Sequence, residues 1–158
     1  MSDAAELLTH FYRAFQARDG EAMAACYHPE ARFSDPVFHD LSASEAGAMW
    51  VMLCSRGKDL RIEFRIDSAN ENSGQVHWEA WYTFSATGHQ VHNIIDASFE
   101  LKDGKIYRHT DHFDFPRWAA QALGFKGWLL GRFFFLQRAV QGNAAKSLRA
   151  FMARSAST

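Results

Sequence analysis

Along the first fifty residues apolar side chains recur at helical spacing, and after residue 58 they recur at every second position. Leu7, Leu8, Phe11, Tyr12 and Phe15 share one helix face, with Ser2 or Asp3 as the N-cap and Asp19-Gly20 as the stop. A short helix from Glu21 to about Tyr27 follows and ends before Pro29, because a residue preceding proline disfavours the helical region. Residues 31–38 read as a strand in which Pro36 points to an edge or a bulge. Ser42 or Ser44 caps a third helix that carries Ala46, Met49, Trp50 and Leu53.

The two-residue period then takes over. Leu60, Ile62, Phe64 and Ile66 alternate with charged residues, and Val76, Trp78, Ala80, Tyr82 and Phe84 lie on one face of a second strand. Val91, Asn93, Ile95, Ala97, Phe99 and Leu101 define a third, and Tyr107, His109, Asp111, Phe113 and Phe115 a fourth. Each strand has one dry and one polar face, and Thr87-Gly88 and Asp103-Gly104 sit where hairpin turns belong. The expected class is α+β, an antiparallel sheet with the early helices on its dry side. Pro116 opens a further helix and Gly124 ends it, and helical stretches over about 128–141 and 144–154 complete the chain. No repeat or linker divides residues 1–158. They read as one domain, with a core over about 4–115 and a helical extension over about 116–155.

Polar residues on the dry faces carry the chemical information. Asp35 sits between Phe33 and Val37, Asn93 between Val91 and Ile95, and His109 and Asp111 between Tyr107 and Phe113, with Tyr82 on the same side by alternation. A buried charge must be paired, neutral or beside a pocket, since an isolated one costs more than folding supplies. A two-residue loop at Thr87-Gly88 would set Tyr82 opposite Asn93. A three-residue bulged loop at Asp103-Gly104 would set Ala97 and Ile95 opposite His109 and Asp111. These polar groups then converge, as they do in an apolar ligand pocket with a few polar anchors. The blander readings are a structural His109–Asp111 hydrogen bond and a turn-capping role for Asp35 before Pro36.

Composition narrows the picture. The chain has 158 residues, of which 47% are hydrophobic, so it is not a disordered segment. Its net charge of -1 argues against general nucleic-acid binding. Cys26 and Cys54 form no CxxC pair, and the start Met1-Ser2-Asp3-Ala4-Ala5-Glu6 has no export-type pattern, so a cytoplasmic location is expected. Charge is uneven: residues 1–114 hold all 18 acidic side chains, whereas residues 115–158 hold seven basic ones and no acid. A basic, aromatic helix can lie on an anionic membrane surface. The favoured expectation is that the extension closes the open end of the sheet or packs on the acidic body. Trp81 and Ile94 on the polar sheet face suit a symmetric homodimer. No metal site is expected, because HExxH is absent and alternation turns His92 and His112 away from His109 and Asp111. No cofactor motif such as GxGxxG or a P-loop occurs.

Helix–helix–strand–helix followed by a four-stranded meander, with Asp35-Pro36 after the second helix and Phe99-Glu100-Leu101-Lys102-Asp103-Gly104-Lys105-Ile106 before the last strand, resembles the nuclear transport factor 2-like superfamily. The resemblance implies a cone-shaped curved antiparallel sheet with the N-terminal helices in its concave side, a cystatin-like roll, here with extra C-terminal helices. It also implies dimerisation. Residues 31–37 are similar to the ketosteroid isomerase segment that carries the general base, which puts that role on Asp35. The positions of that family's two oxyanion donors hold Phe11 and Ala97. The last strand resembles that of limonene epoxide hydrolases, with Asp111 on a catalytic aspartate, while Trp78 and Ala80 stand where that family has arginine and a second aspartate. SnoaL-like polyketide cyclases use an aspartate in an apolar pocket, a part that Asp111 can take. The expected function is a small-molecule pocket protein, an isomerase, cyclase or lyase that needs no cofactor and moves a proton on a small apolar carbonyl compound. Asp35, His109 and Asp111 would be catalytic, and Phe11, Trp78, Tyr82, Asn93 and Phe113 would contact substrate. The alternatives are a non-catalytic binder of a hydrophobic ligand and a dimeric interaction module.

Overall fold

Each early helix begins at a side chain that satisfies its free backbone N–H groups. Ser2 Oγ accepts from the Ala5 N–H at 3.2 Å and opens α1 (Asp3–Gln16). Asp19 caps α2 (Gly20–Ala24), and Ser42 with Glu45 forms a reciprocal capping box at the start of α3 (Ala43–Arg56). Between α2 and α3 lie β1 (Tyr27–Ser34) and the two-residue β2 (Leu41–Ser42). The alternating segment forms β3 (Arg61–Ala69), β4 (Ser73–Phe84), β5 (His89–Lys102) and β6 (Lys105–His112). Asp114 caps α4 (Phe115–Leu123), which is followed by α5 (Phe125–Leu130) and α6 (Phe134–Ala156). The computed structural model describes residues 2–130 and 134–156.

One six-stranded sheet runs in the order β2-β1-β6-β5-β4-β3. β3 to β6 form the expected antiparallel meander, and β1 joins β6 in parallel, with Phe33 beside His109 and Ser34 beside Thr110. Leu8, Phe11 and Phe15 of α1 and Met49 and Trp50 of α3 pack with Trp78 and Phe99 on the dry face. The fold is therefore α+β, as the pattern predicts.

Several boundaries and registers differ from the expected ones. The first strand starts at Tyr27 and ends before Asp35, and its irregular pairing falls between Tyr27 and Arg32, around Pro29 rather than at Pro36. That break lets a proline sit in a strand without removing a ladder hydrogen bond. The β4–β5 connection is a four-residue loop, so Tyr82 faces Val91 and Asn93 faces Ala80. The β5–β6 connection is a two-residue turn with φ of 54° at Asp103 and 71° at Gly104, the double positive pair of a tight hairpin turn. A bulge between Glu100 and Leu101 then sets Ala97 opposite Asp111 and Phe99 opposite His109. The same bulge buries Ile106 in place of Tyr107. The last strand stops at His112, so Phe115 belongs to α4. Residues 134–156 form one helix where two were expected, and Gly131, Arg132 and Phe133 of the stretch predicted over about 128–141 lie outside the described residues.

The extension covers backbone that the sheet leaves bare. β6 pairs with β5 only as far as Asp96, beyond which the β5 edge is open. There Gln121 Oε1 accepts the His92 N–H at 2.6 Å, and the Arg117 guanidinium donates to the His92 carbonyl at 2.7 Å. The Thr87 hydroxyl donates to the Ala122 carbonyl. An uncovered edge would be a template for another strand. α6 packs Leu148 against the main core, and its Gln137 and Gln141 amides each donate to the Pro36 carbonyl at 3.0 Å. Among the described residues no helix is long and apolar enough to cross a membrane.

Gly20 and Gly142 give opposite expectations. A Cβ at Gly20 would stand 2.5 Å from the Val51 Cα, a backbone atom that cannot turn aside, whereas nothing lies within 4 Å of one at Gly142. Gly20→Ala should destabilise the protein by about 1–3 kcal/mol in urea unfolding. Gly142→Ala, inside a helix, should stabilise it by about 0.5–1 kcal/mol.

Candidate functional site

A chain of five side chains from four elements crosses the interior. Trp50 Nε1–H of α3 donates to the Tyr27 hydroxyl of β1 at 2.7 Å. The Tyr27 oxygen lies 2.8 Å from His109 Nδ1, and His109 Nε2 lies 2.9 Å from Asp111 Oδ1, both on β6. Trp78 Nε1–H of β4 donates to the same carboxylate oxygen at 3.4 Å. Indole can only donate, so Tyr27 accepts from Trp50 and gives its own proton to Nδ1. His109 is thereby set as the Nε2–H tautomer, donating to Asp111. Both of its ring nitrogens are engaged within the protein, and its ring is enclosed by Phe11, Phe33, Trp50 and Phe99. His109 is 1% exposed and Asp111 3%.

The parallel β1–β6 pairing ends at Ser34 and Thr110, and Asp35 and Asp111 are the next residues along the two segments. Asp35 Oδ1 accepts the N–H groups of Val37 at 2.7 Å and Phe38 at 2.6 Å, the turn-capping geometry that the Asp-Pro pair suggests. Part of the residue's surface is accessible, but its carboxyl is packed round by protein. Burial, aided by the nearby Asp111 charge, pushes the Asp35 pKa up to about 7 against the pull of the two N–H donors. Burial is the larger cause. Among the described residues the second oxygens of Asp35 and Asp111 accept no hydrogen bond.

Two tyrosines add donors. The Tyr82 hydroxyl accepts from Trp118 Nε1–H at 2.8 Å and keeps its own proton to give. Burial pushes the Tyr82 pKa up to about 12, Trp118 opposes the shift, and the Asp35 charge adds to it. Tyr12 is not among the site residues the sequence points to, because its place on the apolar face of α1 is ordinary core spacing. In the structure the Phe11 and Tyr12 side chains are both buried, because α1 lies across the dry face. The Tyr12 hydroxyl is a buried polar atom with no hydrogen-bond partner among the described residues. Burial and the Asp111 charge hold its pKa well above the ordinary phenol value.

The other predicted site residues separate into two groups. Phe11 and Trp78 are core residues wedged among aromatic rings. Tyr82 and Phe113, with Val37, lie where the main core meets a second apolar cluster built by Val91, Phe115, Trp118, Ala119 and Ala122. Asn93 is buried on β5, opposite Ala80. A hollow of about 360 Å³ beside α4 is lined by Tyr82, Val91 and Gln121, and a groove of about 540 Å³ lies between α2, α3 and the end of α6. Neither of these two is lined by Asp35, His109 or Asp111, and Tyr82 lines the smaller one. Among the described residues no three His, Cys, Asp or Glu side chains are placed to hold a metal ion.

A family model described as a SnoaL-like domain matches residues 8–109. Among curated proteins no relative matches the sequence. A candidate polyketide cyclase from Silicibacter sp. is similar in structure, with a TM-score of 0.65, 18% identity, and coverage of 75% of this chain and 93% of that one. An LEH-like epoxide hydrolase from M. tuberculosis gives a TM-score of 0.59 at 18% identity over 85% and 95% of the two chains. A protein of ketosteroid isomerase-like fold from Catenulispora acidiphila, in complex with trimethylamine, gives 0.62 at 8% identity over 74% and 92%. At these identities the likeness is one of fold.

The Asp35 shift has a sign that unfolding can read. Its folded pKa of about 7 lies above the ordinary carboxyl value of 3.8, so between those pH values the folded state holds more proton than the unfolded one. Stability from this group is full below about pH 4 and is lost as pH rises to about 7, with a slope of up to about 1.4 kcal/mol per pH unit. Asp35→Asn should remove that component, so the wild-type minus variant difference in urea unfolding should fall steadily across the window.

Proposed function

This chain belongs to the SnoaL-like domain family, and on that premise we propose that it moves a proton next to the carbonyl of a small apolar compound without a cofactor. The observation that carries the reading is the Asp35 carboxyl, buried beside Asp111 and brought to about 7, where a carboxylate can both take and return a proton near neutral pH. In this scheme the C–H bond next to the carbonyl breaks, its proton goes to the free oxygen of Asp35, and the electron pair moves to the carbonyl oxygen. Tyr82 gives its spare O–H to that developing oxyanion, and its raised pKa keeps it a donor. Tyr12 supplies a second unpartnered O–H deeper in the fold. These hydroxyls stand in for the donors absent at Phe11 and Ala97. Burial raises the basicity of Asp35 and the Asp111 charge adds to it, and His109 is a positioning residue that aims Asp111. The substrate would enter from the hollow at Tyr82 toward the junction of Val37, Tyr82 and Phe113.

A second reading, a binder without chemistry, draws on the ring-filled interior around His109. Solvent deuterium uptake separates the two. A panel of apolar ketones and β-keto esters in D₂O, followed by mass spectrometry, should give at least one compound whose exchange the protein accelerates. Asp35→Asn should slow that exchange by about 10²–10⁴-fold. Tyr82→Phe should slow it by about 10²–10³-fold. Ligand binding with no acceleration would favour the binder, and acceleration equal in Asp35→Asn would remove Asp35 from the mechanism.

A further inference from the structure

The C-terminal extension carries a surface that the proton-transfer reading leaves unused. Phe125, Trp128 and Leu129 are spaced i, i+3, i+4 on α5 and so share one face, and Phe134 opens α6. All four are exposed, Phe125 at 73%, Trp128 at 60% and Phe134 at 69%. The Phe125 and Trp128 rings stack at 6.0 Å, and the Arg138 guanidinium sits 4.5 Å over Phe134. The opposite side of α5 is fixed: Gly127 lies so close to the Ala119 carbonyl that a Cβ there would collide with it. The apolar face is thus held outward by packing beneath it.

Its electrostatics point the same way. Lys126, Arg138, Lys146 and Arg149 are exposed, and among the described residues none is paired with a carboxylate. At about 100° per residue, Arg138, Lys146 and Arg149 fall within roughly 80° of one another round α6. No acidic residue occurs after Asp114. Much of the body's own acid is already committed, as in Arg32–Asp40, Arg61–Glu63, Arg65–Asp67 and the His77–Glu79–His92 cluster. These four cations of the extension are therefore left without a carboxylate partner among the described residues and are open to an anionic surface.

We infer that α5 and α6 dock on an anionic lipid surface, with Phe125, Trp128 and Leu129 entering the headgroup boundary and the α6 cations lying over the headgroups. Aromatic and aliphatic knobs beside lysine and arginine match an interfacial binder, which lies on the bilayer without crossing it. A second copy of the chain is the competing occupant. The docking is independent of any catalysis.

The test is flotation of the full-length chain with vesicles of phosphatidylcholine alone or of phosphatidylcholine with phosphatidylglycerol. Binding should need the anionic lipid and weaken as salt is raised. Phe125→Ser with Trp128→Ser, and separately Lys126→Glu with Arg138→Glu, should each weaken it by at least about tenfold. Circular dichroism and thermal melts should show both variants folded, since the substituted side chains are exposed. Lipids brominated in the acyl chain should quench part of the tryptophan emission of the wild type, and Trp128→Phe should remove that part. No flotation, flotation equal on neutral vesicles, or unchanged flotation in the folded variants would overturn the inference. Lipid-free sedimentation as a dimer that the Phe125/Trp128 variant abolishes would assign the face to a second copy instead.

Discussion

A carboxylate buried on β6 is the constraint round which the interior is arranged. Asp111 is almost wholly removed from water, a state that costs several kcal/mol unless donors surround the charge. His109 and Trp78 supply two, and Tyr27 and Trp50 fix the histidine that supplies the first. Because indole cannot accept, the two tryptophans donate into the chain from its opposite ends, and it ties α3, β1, β4 and β6 together through a single polar path. The compensation is partial, for burial raises the pKa of Asp35, Tyr12 and Tyr27 and the Asp111 charge adds a smaller push to each. Structure and proposed chemistry thus have one source.

The positions of these groups depend on a long-range pairing. β1 and β6 are separated by four strands and a helix in sequence, yet they lie side by side and parallel. A parallel neighbour needs a long crossover, and here α3 and the meander supply it. The pairing sets Phe33 against His109 and ends at Ser34 and Thr110, just before Asp35 and Asp111. α4 and α6 then close over this end, with two glutamine amides on the Pro36 carbonyl next to Asp35.

Much of this was legible in the alternation of residues. His109, Asp111 and Asn93 stand on the dry faces that parity assigns, and the hairpin registers that differ from expectation do so by two residues. A shift of two preserves the face and changes only the partner, so the polar set survives while Tyr82 trades Asn93 for Val91. Tyr27, Trp50 and Tyr12 were not legible as site residues. Trp50 and Tyr12 carry ordinary helical core spacing, and Tyr27 falls before the first expected strand. Only the tertiary contacts show that one hydroxyl links Trp50 to His109 and that the other has no partner. The Phe125–Trp128 face was visible as composition, but its outward placement follows from the Gly127–Ala119 contact, which no local pattern encodes.

The central claim is that burial and Asp111 together bring one carboxyl to neutrality, and carbon-13 NMR of labelled aspartate side chains reads that directly. One resonance should titrate near pH 7, disappear in Asp35→Asn, and move to lower pH in Asp111→Asn as the neighbouring charge is removed. If every aspartate titrated in the ordinary carboxylate range, or if the resonance near pH 7 were unmoved in Asp111→Asn, the account of two coupled carboxyls would be contradicted.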